Sequence, residues 1–279
     1  MKQRWLVAIV GVPVLLAVLL ACPPWATMLL VCAMSGVAAY ELLHVAGKST
    51  DSVAIGLTVL LAVMQVSWGY LETQTGQMVF GGVSAVTVFR WALVVLLFFR
   101  AVMTYGKSGA VPFETVAAAI VGGIVFPAFY GCILLLRLRE SGGRLYVLAP
   151  FVIAFVGDSL AMYFGKWFGK RKLTPVSPNK TWAGFFGNLL GSVLGMLLLG
   201  LVGSRWLGYE ANYPMLALLG ACANLLGQLG DLSTSLIKRE AGVKDYSHLF
   251  LTHGGMLDRF DSTLFIAPAV YFFVSAGLV

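Results

Sequence analysis

The stretch from Ser235 to Ser262 reads SLIKREAGVKDYSHLFLTHGGMLDRFDS and lies near the end of a chain that is otherwise mostly apolar. It contains four acidic residues, four basic residues and two histidines. Ionised side chains beside membrane-spanning segments cost free energy unless they are paired, bound to a metal or hydrated. We therefore interpret this stretch as a functional loop that joins the last two membrane helices.

Polar residues on both sides of this loop repeat with helical spacing. Upstream, steps of four, three, four and three place one set on a single helical face: Asn224, Gln228, Asp231, Ser235 and Lys238. Downstream, a second set shares a face at the start of the last apolar run: Asp258, Asp261, Ser262 and Phe265. Two predicted helices thus carry carboxylates on either side of one loop.

The composition indicates an all-α, polytopic integral membrane protein. Of the 279 residues, 59% are hydrophobic and only 11% are charged, whereas a soluble domain carries roughly 25% charged residues. The formal net charge of +7 is explained by basic cytoplasmic loops, so no nucleic-acid partner is expected.

Apolar runs of about 20 residues predict about nine transmembrane helices. They fall near 6–22, 25–46, 53–72, 79–103, 113–136, 146–165, 183–203, 213–238 and 260–279. We divide the chain into N-terminal transmembrane helices, 1–145, and a C-terminal catalytic region, 146–279, whose loops 166–182 and 239–259 face the cytoplasm. With the N-terminus inside, 14 of the 19 lysines and arginines are cytoplasmic and four are on the opposite side. Three of those four, Arg137, Arg139 and Arg144, depart from the rule by sharing one outer loop.

A second polar stretch, 157–182, reads GDSLAMYFGKWFGKRKLTPVSPNKTW. Lysines, hydroxyls and free amides of this kind suit a polyphosphate, although positive-inside lysines and a turn would look similar. It is not a P-loop, because no GxxxxGK[ST] follows a strand. The candidate substrate-binding residues are Asp158, Lys166, Lys170, Ser177, Asn179, Lys180 and Thr181.

The two stretches together resemble the phosphatidate cytidylyltransferases, or CDP-diacylglycerol synthases. The resemblance is carried by S-x-x-K-R-x4-K-D…H-G-G-x-L-D-R-x-D-S, which runs from Ser235 to Ser262, by Gly230-Asp231-Leu232, and by GKxFGKxKL and SPxKTW in the earlier loop. It covers roughly residues 150–270, and farther upstream only hydropathy and Tyr40-Glu41. Leu251-Thr252 departs from the family's usual Pro-Gly, and Met162 from a frequent Tyr.

The resemblance implies a bacterial-type inner-membrane enzyme that makes CDP-diacylglycerol and pyrophosphate from CTP and phosphatidate, with its active site facing the cytoplasm. It also implies a divalent metal at Asp231 and Asp258. Mg²⁺, with room for a second cation, suits carboxylates and substrate phosphates. Asp261 is expected as a third or supporting acid and Lys238 as a catalytic cation. Further substrate-binding candidates are Ser235, Arg239, Lys244, Asp245, His253, Gly254, Gly255 and Arg259; His253 either donates to phosphate or structures the loop.

Two other functions fit parts of the pattern. A CTP-dependent lipid kinase would transfer the γ-phosphate and release CDP. An ion-coupled transporter would use Asp158, Asp231 and Lys238 as a relay near the membrane centre. Separately, the GxxxGxxxG face formed by Gly187, Gly191 and Gly195 predicts close helix packing, either inside the chain, which we favour, or in a homodimer.

Overall fold

The protein is built from α-helices, as its composition predicts. A computed structural model describes residues 11–76, 82–250 and 254–279, and within these ranges the only extended pairing is an isolated bridge between Lys172 and Thr181. The helices are α1 (Gly11–Ala21), α2 (Pro24–Val45), α3 (Ser52–Thr75), α4 (Ala85–Thr104), α5 (Phe113–Arg137), α6 (Gly143–Tyr146), α7 (Ala149–Phe168), α8 (Trp182–Trp206), α9 (Tyr213–Glu240) and α10 (Met256–Ser275).

The helices match the predicted apolar runs. In the described part of the chain, seven helices are long and apolar enough to cross a membrane: α2, α3, α4, α5, α7 extended by α6, α8 and α9. These findings confirm the all-α polytopic fold. Only 11–21 of the first predicted run is described, and α10 carries charges in its first turn.

Local chemistry sets where several helices begin and end. Pro24 occupies the first turn of α2, where its missing N–H is not needed. The Asp51 carboxylate accepts hydrogen bonds from the N–H groups of Val53 and Ala54, both at 2.9 Å, and so caps α3. The Ser84 hydroxyl accepts from Val86 N–H and starts α4, which is why this helix begins later than the apolar run from 79.

The helices and loops group into two compact units. The first contains the described residues up to Leu134 together with Glu240–Arg259, and the second contains Leu135–Arg239 together with Phe260–Val279. The backbone of α10 leaves helical geometry at Phe260 (φ −123°, ψ 20°), where the chain passes from one unit to the other.

The first unit buries the paired faces of its helices. Gly122 lies in a π-helical turn of α5, Val121–Val125, and a Cβ there would meet the Ala39 Cα at 3.1 Å. The side-chain amide of Gln65, on α3, donates to the backbone carbonyl of Gly123, which follows Gly122 in the same turn. The turn therefore lets α5 approach α2 and α3 closely.

The second unit is centred on an apolar core and a glycine-lined helix pair. Its core includes Leu136, Ile153, Met196, Leu219, Ile266 and Val270. A Cβ on Gly191 would meet the Val156 carbonyl oxygen at 2.8 Å, and one on Gly195 would meet Val152 Cγ1 at 3.0 Å. The glycine face of α8 therefore packs on α7 of the same chain, which is the internal arrangement that the sequence favoured.

Candidate active site

A cavity of about 480 Å³ opens in the second unit among α7, α8, α9 and the loop that joins α7 to α8. Its polar lining includes six of the residues proposed from the sequence to bind substrate or metal: Asp158, Lys166, Asn179, Lys180, Thr181 and Asp231. Asn188, Gln228, Gly165 and Gly184 also border it, with Ala161, Met162, Leu173 and Phe185 as apolar walls. The structure thus brings the SPNKTW stretch and the first conspicuous aspartate of α9 to one place.

The loop before α8 is pinned at its base, which fixes Lys180. The Thr181 hydroxyl caps α8 by accepting from Gly184 N–H at 3.1 Å. Backbone hydrogen bonds run from Leu173 N–H to the Lys180 carbonyl (3.0 Å) and from Trp182 N–H to the Arg171 carbonyl (3.1 Å). Thr181 therefore has a structural capping role as well as a place in the cavity wall.

Lys180 and Asp231 form an ion pair at the edge of the cavity. Their side chains are 25% and 26% exposed, so water still reaches both. The pair places a cation and a carboxylate together where a charged ligand would enter. Both groups can exchange partners, the lysine with a phosphate and the carboxylate with a metal ion.

A ladder of side-chain amides crosses the helices behind the cavity. Asn188 donates to Asp158 Oδ1 at 3.0 Å, and Asn224 donates to Asn188 Oδ1 at 2.5 Å and to the Ser192 hydroxyl at 2.6 Å. Gln228 donates to Asn224 Oδ1 at 2.7 Å. Asn224, Ser192 and Gln228 are buried at low cost because each is hydrogen-bonded. Through Asn188 the ladder reaches the exposed carboxylate of Asp158.

Carboxylates gather on the α9 and α10 faces of this unit. Asp261 interacts electrostatically with Asp231 and Asp158, which repel it, and with Lys238, which attracts it. Ser235 donates to Asp231 Oδ1 at 3.4 Å. Lys238 is only 9% exposed, so the predicted polar stripe of α9 does face inward. A cation near this group would relieve the repulsion among the carboxylates.

The carboxylates of this unit suit a hard cation whose remaining ligands come from water and substrate. Among the described residues, no group of three or more His, Cys, Asp or Glu is placed to hold a metal ion by itself. Mg²⁺ usually keeps several waters and takes one or two carboxylates plus substrate phosphates. Asp231 fits that requirement, because its carboxylate borders the cavity and is paired there with the ammonium group of Lys180. The prediction that Asp258 is a second ligand stays a prediction.

In the first unit, a buried glutamate organises the start of α10. Glu41 is 1% exposed and accepts hydrogen bonds from the Ser247 hydroxyl at 2.6 Å and from the N–H groups of Met256 and Leu257 at 2.9 Å. These N–H groups belong to the first turn of the helix, where no backbone acceptor is available. A carboxylate at this end also complements the helix dipole.

Asp258 ties the same turn to the preceding loop. Its Oδ2 accepts from Tyr246 N–H and from Gly255 N–H, both at 2.8 Å. Gly254 has φ +80°, and a Cβ on Gly255 would collide with the Glu41 carboxylate and lie 2.6 Å from the Ser247 hydroxyl. The two glycines are therefore required by backbone shape and by close packing.

The other predicted site residues lie outside these two clusters. Lys170 is exposed and Ser177 half-buried on the loop before α8, outside the described lining of the cavity. Arg239 is exposed at the end of α9, and in the first unit Lys244 and Arg259 are exposed while Asp245 is half-buried. His253 lies outside the described residues, with Leu251 and Thr252.

Sequence reasoning missed Asn188 and the role of Glu41. Asn188 was detectable as an amide within the apolar run of α8, where an unpaired polar group would be costly. Glu41 was noticed only as part of Tyr40-Glu41. Its partner Ser247 is 206 positions away in the chain, so no spacing rule connects them.

Comparisons with known proteins cover nearly the whole chain. Residues 2–276 match the model of the cytidylyltransferase family. A protein of Bacillus subtilis (strain 168) named phosphatidate cytidylyltransferase is 32% identical over 284 aligned residues, which cover 99% of this chain and 98% of that protein.

Two other similar proteins bear the same name and align over shorter segments. One from Staphylococcus epidermidis is 42% identical over 147 residues, and one from a Synechocystis strain is 42% identical over 132 residues. These alignments cover 52% of both chains in the first case, and 47% of this chain and 44% of the relative in the second. The match thus spans about half the length of these two relatives.

Proposed function

Because this chain belongs to the cytidylyltransferase family, we propose that it makes CDP-diacylglycerol and pyrophosphate from CTP and phosphatidate within the membrane. The family indicates transfer of a cytidylyl group, and the name that the similar proteins share indicates phosphatidate as the acceptor. The observation that carries the proposal for this chain is the cavity in which Lys180 and Asp231 meet beside Asp158 and Asn179. That combination of a lysine, amides and acids suits a metal-bound polyphosphate.

In the proposed reaction, a phosphate oxygen of phosphatidate attacks the α-phosphorus of CTP. A new P–O bond forms to the lipid phosphate, the bond between the α-phosphorus and the bridging oxygen breaks, and pyrophosphate leaves with that bond's electrons. The attacking oxygen is already anionic, so no strong base is required. Such transfers depend mainly on alignment and on neutralising charge.

Each resident side chain has a definite task in this scheme. Lys180, which pairs with Asp231, transfers its charge to a substrate phosphate when the nucleotide binds. The amide of Asn179 donates to phosphate oxygens, and Asn188 holds Asp158 in one orientation. Lys238, which interacts electrostatically with Asp261 inside the unit, adds positive charge near the phosphates.

Mg²⁺ bound at Asp231 would neutralise the triphosphate and stabilise charge on the leaving pyrophosphate. Asp258 remains our second proposed ligand and Asp261 a supporting acid. Neither assignment depends on a general base, because the residues act by position and charge. We also propose that both polar loops face the cytoplasm of a bacterial-type inner membrane, where CTP is found, since the lysine and arginine distribution supports that orientation.

A product assay tests the proposal. Purified protein in mixed micelles receives α-labelled and γ-labelled CTP in separate reactions, phosphatidate and Mg²⁺. We expect the α-label in an organic-soluble liponucleotide and the γ-label in pyrophosphate. Arg205→Gln, a change at an exposed residue at the far end of α8, serves as a matched control with unchanged activity. Transfer of the γ-label to lipid with release of CDP would instead identify a kinase, and no transfer at all would contradict both.

A further inference from the structure

The second unit contains another cavity, of about 590 Å³, at the opposite end of α7 and α8 from the candidate active site. Three arginines line it: Arg137 at the end of α5, and Arg139 and Arg144 on the loop and short helix that follow. The proposed transfer reaction uses none of them. They are also the three arginines that depart from the positive-inside pattern.

The position of this cavity corresponds to a membrane surface. Helix α8 begins at Trp182 and ends at Trp206, whose side chains are 41% and 80% exposed. A helix of 25 residues is about 37 Å long at 1.5 Å per residue. Exposed tryptophans at both ends are typical of the two interfaces of a bilayer. The active-site cavity lies near Trp182 and the arginine cavity near Trp206, so they open towards opposite leaflets.

The loop that carries the arginines is tightly built. Gly142 has φ +71°, and a Cβ on Gly143 would meet the Arg137 carbonyl oxygen at 2.7 Å. This turn returns the chain so that Arg144 lies within electrostatic reach of Arg137, which is 8% exposed. Arg139 donates from Nη2 to the Val274 carbonyl at 2.9 Å. Like charges are thus held around one cavity by backbone geometry.

The charge balance of the cavity favours an anion. Glu140 and Glu210 also line it, which leaves one net positive charge among the five ionised groups. Within the described ranges, neither glutamate forms an ion pair with Arg139 or Arg144 at 4.0 Å or less. Guanidinium groups bind phosphate through two parallel hydrogen bonds. A group with a single negative charge would therefore neutralise the site.

We propose that this cavity binds the phosphodiester headgroup of an anionic phospholipid in the leaflet opposite the active site. The position of the cavity favours a lipid headgroup over a soluble phosphate as its ligand, because apolar helices end around the cavity. Leu207, which is 64% exposed, belongs to its lining and offers a contact for an acyl chain. Arginines at the ends of membrane helices can hold an acidic headgroup by charge and by their planar set of N–H donors. The proposal does not depend on the reaction proposed above.

Lipid retention measured by native mass spectrometry tests it. The full chain is purified in detergent, exchanged with phosphatidylglycerol or phosphatidylcholine, and compared with Arg144→Gln and with the control Arg205→Gln, an arginine at the same end of α8 but outside the described lining. We expect Arg144→Gln to bind phosphatidylglycerol about tenfold more weakly, as for the loss of one charge-assisted pair. Parent and control should bind alike, and phosphatidylcholine should be retained weakly by all three.

Several results would overturn the proposal. One is equal phosphatidylglycerol binding by parent and Arg144→Gln, and another is equal retention of phosphatidylcholine by the parent. Displacement of the lipid by millimolar inorganic phosphate would show that the cavity binds a soluble anion instead. Arg144→Lys keeps the charge but loses the planar fork, so it should bind with intermediate strength; it replaces Arg144→Gln if that variant does not purify as a folded protein.

Discussion

Replacing Glu41 with alanine should loosen the start of α10 without unfolding the protein. The change removes the acceptor for Ser247 and for the N–H groups of Met256 and Leu257, which are 8% and 0% exposed. Each buried N–H left without an acceptor costs about 1–3 kcal/mol, so the pair costs roughly 2–6 kcal/mol. Global stability is about 5–15 kcal/mol, and local opening relieves the penalty at lower cost than global unfolding.

Hydrogen exchange read by mass spectrometry measures this opening. A loss of 2 kcal/mol should speed exchange of the backbone amides in 254–258 by roughly 30-fold. Ser247→Ala removes the hydroxyl that donates to Glu41 and accepts from the N–H of Leu249 at 3.3 Å. Its effect should be smaller, because Leu249 is 53% exposed and water can replace that acceptor. His44→Gln is the matched control, since His44 is exposed on the same helix and stacks on Tyr40; its exchange should match the parent.

A second perturbation approaches the same contact from the other side. In Gly255→Ala, the new methyl group would press on the Glu41 carboxylate and on the Ser247 hydroxyl, 2.6 Å away. We expect the same amides to exchange faster. If both Glu41→Ala and Gly255→Ala purified as folded proteins with parental exchange in 254–258, the carboxylate would not hold this turn, and our account of the two glycines would be wrong.

Three further predictions concern the site and its orientation. Asp231→Asn and Asp258→Asn should each lower turnover at least about 100-fold, or about 2.7 kcal/mol, with a double variant little worse than either single one; near-normal Mg²⁺-dependent activity of either variant would remove that carboxylate from the metal site. Asn188→Ala removes the donor to Asp158 and should lower turnover about tenfold by analogy with positioning groups; thermal unfolding checks the fold, and unchanged kinetics would argue against a positioning role. In a background without the native cysteines, Lys172→Cys and Ser247→Cys should resist an impermeant thiol reagent in intact cells; labelling of either from outside would contradict the proposed orientation.

The structure also separates explanations that the sequence left open. Small residues at every fourth position on α8 were compatible with a homodimer, but α7 already occupies that face. The SPNKTW stretch could have been an ordinary turn, yet it closes a cavity and places Lys180 against Asp231. Lys170 and Ser177 belong to the same stretch and lie outside that lining. The sequence pattern therefore identified the loop better than it identified which of its members line the cavity.

The sequence by itself determined that the apolar runs are helices and roughly where each one lies, because membrane length and hydropathy are local properties of about 20 neighbouring residues. It also determined the inward polar stripe of α9, since helical periodicity is local too. The tertiary structure alone decided what Glu41 and Asn188 do. Glu41 meets a turn more than 200 positions away, and Asn188 meets Asp158 across a helix pair. A buried polar group needs its partner in space, and only the packing of the helices determines which partner it meets.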